Sequence, residues 1–380
     1  MNNDKKYYKI LTIGFSVFLV GIASFNILSN DKRFSEFENR MLAQKPKFSI
    51  DRLMSGRYTD KFEKYKVDQF MGRDFFMRVK SSTELLIGKR ENNGVYYGKD
   101  GYLIEVFNPV EDKYIEKNLQ AINNFSNKFK DINSYISIIP TAISVLEDKL
   151  PTNLENNTQL EYIQNTKKNL GDNIKYIDTY DALSKNSDNY IFYKTDHHWT
   201  SEGAYISFNK IKYEMNLKGN NIKYNKLEIS DNFSGTLVSK SGFRNDEKDS
   251  IYAYLPENNT TKVIVSNIEQ QEKSPSLYNT EKLNKKDKYE VFLGGNYPIL
   301  EINSNAQIDK ELLLIKDSYA NSIIPFLVDY YSKIFVVDPR YYYDDIEELV
   351  NNNNINDILY LYNANTFYSD KSLSVVLNNE

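Results

Sequence analysis

Cysteine is absent from the chain, which excludes disulfides and thiolate metal sites outright. That absence is compatible with work outside a reducing cytosol. A basic face is missing too: 48 Lys and Arg stand against 52 Asp and Glu, a formal charge of −4. Nothing therefore neutralises phosphates, and no nucleic-acid partner is expected. No internal repeat is visible. Imidazole is almost lacking: the two histidines, His197 and His198, are adjacent, and the single tryptophan, Trp199, follows them. What the chain does have is length and apolar content, 380 residues at 41% hydrophobic, enough to bury one large core or two ordinary ones. Its 31 tyrosines accompany an abundance of Asn, Lys and Ile, so they count weakly as a sugar-stacking surface.

Charge is also missing from residues 10–30, "ILTIGFSVFLVGIASFNILSN", which Lys5, Lys6 and Lys9 precede. A run of that length can cross a hydrocarbon core, which takes about 20 helical residues. The leader lysines favour an N-inside orientation, although Lys32 and Arg33 weaken the asymmetry. A cleaved signal peptide competes with this reading, but the run exceeds a typical h-region and no small-x-small site follows it. The expectation is an N-terminal transmembrane helix: residues 1–30 form a cytoplasmic leader and single-pass cell-membrane anchor, and the rest lies outside.

Residues 31–90 read as a charged juxtamembrane segment, with 34–48 an extended lead-in and amphipathic helices after it. Gly94, Gly98 and Gly101 then punctuate short aromatic strands over 93–105. From about 112 an α/β rhythm begins. Ile115, Leu119, Ile122, Phe125 and Phe129 fall at helical spacing. "SYISIIP" (134–140) and "NIKYID" (173–178) read as strands, and Ala204, Phe208, Ile211 and Met215 line a helix. Between about 220 and 308, short strands such as "IYAYLP", "TKVIVSNI" and "YEVFLGG" suggest a β-rich insertion. "ELLLI" (311–315), "IFVVD" (334–338) and "DILYLY" (357–362) then resume the rhythm. Such alternation predicts an α/β fold with a doubly wound parallel sheet over residues 91–380.

The stretch "KTDHHWTSEGAY", residues 194–205, carries the clearest chemistry. If it is extended, Asp196 and His198 share a face and His197 points away. Two adjacent histidines then converge poorly on one ion, so no metal and no other cofactor is expected. An Asp two residues before a His can instead accept from one ring nitrogen and leave the other free as a base. The plainer alternative is a structural His at a helix start, with "TSEG" supplying the cap. A nucleophile is available in "ELLLIKDSYANSIIPFL" (311–327). There Ser318 follows an apolar strand at the carboxyl end of a sheet, where open α/β sheets place their sites. A helix starting near Tyr319 would offer backbone N–H groups to an oxyanion. The plainer reading of Ser318 is an N-cap.

At these two motifs the sequence resembles the DHHW protein family of Gram-positive bacteria and, more distantly, the alginate O-acetylation proteins, whose domains are similar to SGNH hydrolases. The resemblance extends through "FSEFENRMLAQKPKF", "VYYGKDGYL", "FSGTLVSKSGF", "KDSYANS" and "VVDPRYY". It implies an SGNH hydrolase-like domain with Ser318 as nucleophile, His198 as base and then acid, and Asp196 as orienter. Asp196 and His198 precede Ser318 here, the family's order. The turn is Lys-Asp-Ser where SGNH enzymes have Gly-Asp-Ser, and no oxyanion glycine aligns. The N–H groups near Ser318, that of Tyr319 included, with Asn321 or Asn363 are the candidate donors. Arg340 in "DPRYYYDD" is a candidate for substrate binding, with surface salt-bridging as its plain alternative.

The resemblance further implies an extracytoplasmic O-acetyltransferase that acetylates an exopolysaccharide or cell-wall glycan through an acetyl-serine. A multi-pass membrane O-acyltransferase would supply acetyl groups, beside polysaccharide synthase and export machinery. A carbohydrate acetylesterase with the same triad, or a non-catalytic glycan-binding scaffold, are the alternatives.

Overall fold

The computed structural model describes residues 2–35, 40–152, 158–218, 222–243, 247–257 and 261–379. Two compact units emerge: one comprises residues 1–89 with 242–244, the other residues 90–241 with 245–380.

In the first unit the helix Asn2–Leu28 includes the apolar span Lys5–Leu28, none of which is buried. By length and composition it can cross a bilayer, as an anchor or as a signal sequence. A two-stranded pairing of Phe34–Ser35 with Arg40–Met41 follows. Part of the anticipated lead-in, residues 36–39, lies outside the described residues. Helices Ile50–Met54, Arg57–Asp68 and Arg73–Leu86 complete the unit.

The second unit begins with a three-stranded antiparallel sheet, Glu91–Asn92, Val95–Tyr97 and Leu103–Glu105. Its centre is an eight-stranded sheet. Five parallel strands run in the order Lys333–Val337, Glu311–Lys316, Ile355–Asn363, Asn133–Ile139, Ile174–Tyr176. Glu311–Lys316, flanked by a parallel strand on each side, reads as a nearly unbroken apolar run because both of its faces are covered. Leu312 and Leu314 join one core and Leu313 and Ile315 the other. The helix Asp112–Lys128 buries Ile115, Leu119, Ile122 and Phe125, the face that the spacing predicts.

The sheet is mixed, which corrects the all-parallel expectation. Ile299–Ser304 pairs antiparallel with Lys333–Val337, and Val263–Asn267 and Glu272–Ser274 add two further antiparallel strands outside it. Part of the β-rich insertion thus extends the main sheet. The other part is the hairpin of Tyr224–Phe233 and Asp249–Pro256. "YEVFLGG" is not a strand: Lys288–Val291 is a 3₁₀ turn, and Leu293, Gly294 and Gly295 all take positive φ. Three such residues in succession cannot continue a β ladder.

Candidate active site

Ser318 lies just past the carboxyl end of the strand Glu311–Lys316. The chain leaves Glu311–Lys316, turns at Asp317 and enters the 3₁₀ helix Ser318–Ser322. Asp317 caps that turn. One carboxylate oxygen accepts the Tyr319 N–H (2.9 Å), and the other accepts the backbone N–H (2.9 Å) and side-chain amide (2.5 Å) of Asn363. The cap therefore fixes the serine against the end of the neighbouring strand, Ile355–Asn363. Burial raises the Asp317 carboxyl, while Arg340 and these N–H groups oppose the rise.

His198 reaches Ser318 from a loop 120 residues earlier. Its Nε2 is 2.8 Å from the Ser318 Oγ, and its Nδ1 is 2.6 Å from Asp196 Oδ1. Asp196 Oδ1 also accepts the His198 N–H (3.1 Å). Its Oδ2 accepts the Thr236 N–H (2.8 Å) and hydroxyl (2.9 Å). With both oxygens engaged, the carboxylate has one orientation, and it aims at the histidine. Burial alone would raise Asp196, but His197, His198 and the Thr236 N–H hold it well below the usual carboxylate range. Burial, and then His197, lower the His198 imidazole to about 4 against the pull of Asp196. At neutral pH the ring is therefore uncharged, with Nε2 able to accept the serine proton.

The loop is braced on every side. Asp249 accepts the N–H groups of Lys194 and Thr195 (2.8 Å each) together with the Thr195 and Tyr190 hydroxyls. Thr200 caps the helix Ser201–Glu214 by accepting from the Gly203 N–H. The capping reading of "TSEG" and the His–Ser contact therefore hold together. The Tyr289 ring stacks on His198 with centroids 3.6 Å apart, and its hydroxyl donates to the Ser318 carbonyl and to Ser322 Oγ (3.1 Å each). The buried Trp199 indole donates to the Tyr319 carbonyl (3.0 Å) and to Ser322 Oγ (2.9 Å). The Tyr319 hydroxyl in turn donates to the His197 carbonyl (2.5 Å).

His197 does not point away, as the extended geometry predicts. The loop curls, so its ring lies 3.9 Å from that of His198, and its Nδ1 sits 2.9 Å from Thr236 Oγ1 and 3.6 Å from Asp196. The ligand atoms of Asp196, His197 and His198 all fall within 4.8 Å of one another. Even so, both His198 nitrogens and His197 Nδ1 already have protein partners. A cation here would break the contacts just described, so the donor set does not fit a metal.

The remaining sequence candidates sit near the serine but are committed elsewhere. The Tyr319 N–H is taken by Asp317, which removes it as an oxyanion donor. Asn363 holds Asp317 and the Thr366 hydroxyl. Asn321 donates to Asn296 Oδ1 (3.1 Å), and its own Oδ1 is buried without a partner. Arg340 forms a two-point pair with the buried Asp338 (2.8 and 2.6 Å), which also takes Lys316 Nζ at 3.3 Å. The ion-pair alternative for Arg340 thus describes its contacts, although its partner is in the core and not on the surface. Sequence reasoning missed Thr236, Tyr289, Asp249 and Asn296. Only "FSGTLVSKSGF" flagged the neighbourhood of Thr236, while "YEVFLGG", which holds Tyr289, reads as a strand from sequence.

The fold has solved counterparts. The chain resembles a DHHW family protein from Eubacterium siraeum (22% identity, TM-score 0.64), matching over 76% of this chain and 96% of that one. It also resembles Bacillus cereus PatB1, solved with a sulfonyl adduct (24% identity, TM-score 0.62, 72% of this chain and 96% of that one). No curated protein matches it by sequence. The DHHW protein family model matches residues 93–337, and since that is well over half of its length, the chain belongs to this family.

Proposed function

We propose that this protein is a serine-dependent O-acetyltransferase with an SGNH hydrolase-like catalytic domain, held to the outer side of the cell membrane by its N-terminal helix. The observation that carries the reading is the unbroken line from Asp196 through His198 to the Ser318 hydroxyl, at 2.6 and 2.8 Å. The solved PatB1 complex adds support, since sulfonyl groups are captured by activated nucleophiles.

In the first half-reaction Ser318 Oγ attacks the acetyl carbonyl carbon while His198 Nε2 takes its proton. The bond to the donor's leaving group breaks, and His198 returns the proton to that group. In the second, a sugar hydroxyl attacks acetyl–Ser318 and gives its proton to His198. The serine then leaves and recovers that proton. Asp196 keeps Nδ1 protonated and stabilises the imidazolium formed in each half. The Ser318 N–H, first in its 3₁₀ helix, serves as one oxyanion donor in this reading. The Asn296 side-chain amide is the second. Its Oδ1 accepts from Lys316 Nζ (3.0 Å) and from Asn321 (3.1 Å), a residue of the Ser318–Ser322 turn. The acceptor in this reading is an exopolysaccharide or cell-wall glycan. Acetyl groups come from a multi-pass membrane O-acyltransferase working with the polymer's synthase and export machinery.

The test is acetyl transfer from p-nitrophenyl acetate to an oligosaccharide, followed by nitrophenol release and by the mass of the sugar. Release and sugar acetylation that both vanish in Ser318→Ala and His198→Ala are expected. Serine-dependent release with no acetylation across a panel of glycans would replace the transferase by an esterase. Release that persists in both variants would remove the triad.

A further inference from the structure

The first unit carries an apolar surface beside the end of the membrane-length helix. The turn between the helices Arg57–Asp68 and Arg73–Leu86 exposes Phe70 and Met71. The first two turns of the second helix expose Phe75 (63%), Phe76 (55%) and Val79 (46%). Phe75, Phe76 and Val79 stand at i, i+1 and i+4, so they share one side of that helix. The Phe76 ring is 5.9 Å from that of Phe70 and 5.6 Å from that of Phe75, which makes the surface continuous. A cluster of large side chains of this kind is not left against water without a reason.

Its position follows from four hydrogen bonds. The Met71 N–H donates to Asn26 Oδ1 (2.8 Å), on the last turn of the apolar helix. Lys32 N–H donates to Gln69 Oε1 and Gln69 Nε2 donates back to the Lys32 carbonyl, each at 2.8 Å. The Tyr65 hydroxyl donates to Asp31 (3.0 Å). The 69–72 turn is therefore fastened at the level where the apolar run ends. In a bilayer crossed by residues 5–28, that level is the lipid headgroup layer. Aromatic and aliphatic side chains interleaved with Arg73, Arg78 and Lys80 have the composition of a segment lying in that layer.

We propose that residues 70–79 form a membrane-docking surface that inserts Phe70, Met71, Phe75, Phe76 and Val79 among the lipid headgroups. The inference rests on the anchor reading above. It adds a second attachment that fixes the orientation of the first unit on the bilayer, where one helix alone would leave it free to swing.

The absence of cysteine makes the test clean, because a single introduced cysteine takes a dye at one site. Full-length protein carrying Met71→Cys, Val79→Cys, Lys61→Cys or Gly14→Cys is labelled with an environment-sensitive fluorophore and reconstituted into phosphatidylethanolamine–phosphatidylglycerol vesicles. Quenching by headgroup-level spin-labelled lipid is compared with quenching by aqueous iodide. The expected result is several-fold stronger lipid quenching at 71 and 79 than at the exposed position 61, with iodide reaching only 61. If 71 and 79 behave like 61 while the Gly14 site is quenched by a deep lipid label, the anchor stands and the docking surface is wrong. If the Gly14 site is open to iodide, the anchor fails and the docking surface falls with it. Shielding of 71 and 79 in native membranes but not in lipid alone would mean a protein partner covers this face, and would also overturn the proposal.

Discussion

Gly235 is packed against Asp196 so closely that a Cβ added to it would sit 2.3 Å from the Asp196 Cβ and 2.6 Å from its Cα. The carboxylate of the proposed triad is thus held by a neighbour that must have no side chain. The next residue, Thr236, gives that carboxylate two hydrogen bonds. Gly235→Ala should displace Asp196 from His198 and reduce kcat by about 10²-fold or more, in line with the cost of a roughly 1 Å misplacement. Steady-state kinetics on p-nitrophenyl acetate, with circular dichroism as a folding control, measure it.

Thr236→Val separates the two bonds, because the backbone N–H to Asp196 survives and the hydroxyl bond does not. It also removes the partner of His197 Nδ1. The expected loss is about 1–3 kcal/mol of stability from the altered buried pairing, with a smaller drop in rate than for Gly235→Ala. Thermal denaturation and kinetics of the same preparation give both numbers.

The pH profile should lie lower than the sequence suggests. A free imidazole titrates near 6.5, and the sequence alone predicts a rate rising through that range. Burial and His197 bring His198 to about 4, so the neutral base persists well below pH 6. Asp287, pushed up to about 6 by burial and by Asp196, is the group that would add a bend there. Initial rates measured between pH 8 and 3.5 should fall on acidification with a midpoint near 4, and any inflection near 6 should disappear in Asp287→Asn. A midpoint that stays at 6.5 in that variant would contradict this assignment.

Stability follows the same sign. His198 has a folded pKa below its unfolded value, so its contribution is full above about 6.5 and declines as pH falls toward 4. Asp196, also depressed, loses its contribution at more acid pH. His198→Gln should therefore flatten the fall of Tm between pH 6.5 and 4. Differential scanning calorimetry over that range checks it.

Asp338 carries two cations, the buried Lys316 and the partly buried Arg340, and they hold it below the ordinary carboxylate range against its burial. Asp338→Asn leaves a core lysine without its counter-charge. A loss of about 3–5 kcal/mol is expected, far beyond a surface ion pair. Urea unfolding of the variant would show it as a lowered midpoint.

Much of this was legible beforehand because the relevant residues are neighbours in sequence. Asp196-x-His198 is a local pattern, and the apolar run before Ser318 marks a strand covered on both faces. The curl that brings His197 beside His198 was not legible, since it depends on Asp249 and Thr236, 54 and 40 residues away from Thr195 and Asp196. The mixed sheet escaped for a similar reason. Val263–Asn267 and Ile299–Ser304 look like any short strands, and only the pairing of the second with Lys333–Val337, and of the first with the second, makes them part of the main sheet. That Tyr319 and Asn363 spend their N–H groups on the cap of Asp317 was not legible either, because a motif does not reveal it.

The hydrogen bonds from the Trp199 indole to the Tyr319 carbonyl and from the Tyr319 hydroxyl to the His197 carbonyl tie together the two loops that hold the histidine and the serine, through side chains that transfer no proton themselves. Ser318 and His198 are therefore held together by contacts beyond their own, and should not drift apart while the rest of the domain stays folded. Heating should accordingly destroy the proposed activity and near-ultraviolet circular dichroism at one temperature, with no earlier stage in which a folded domain has lost its alignment.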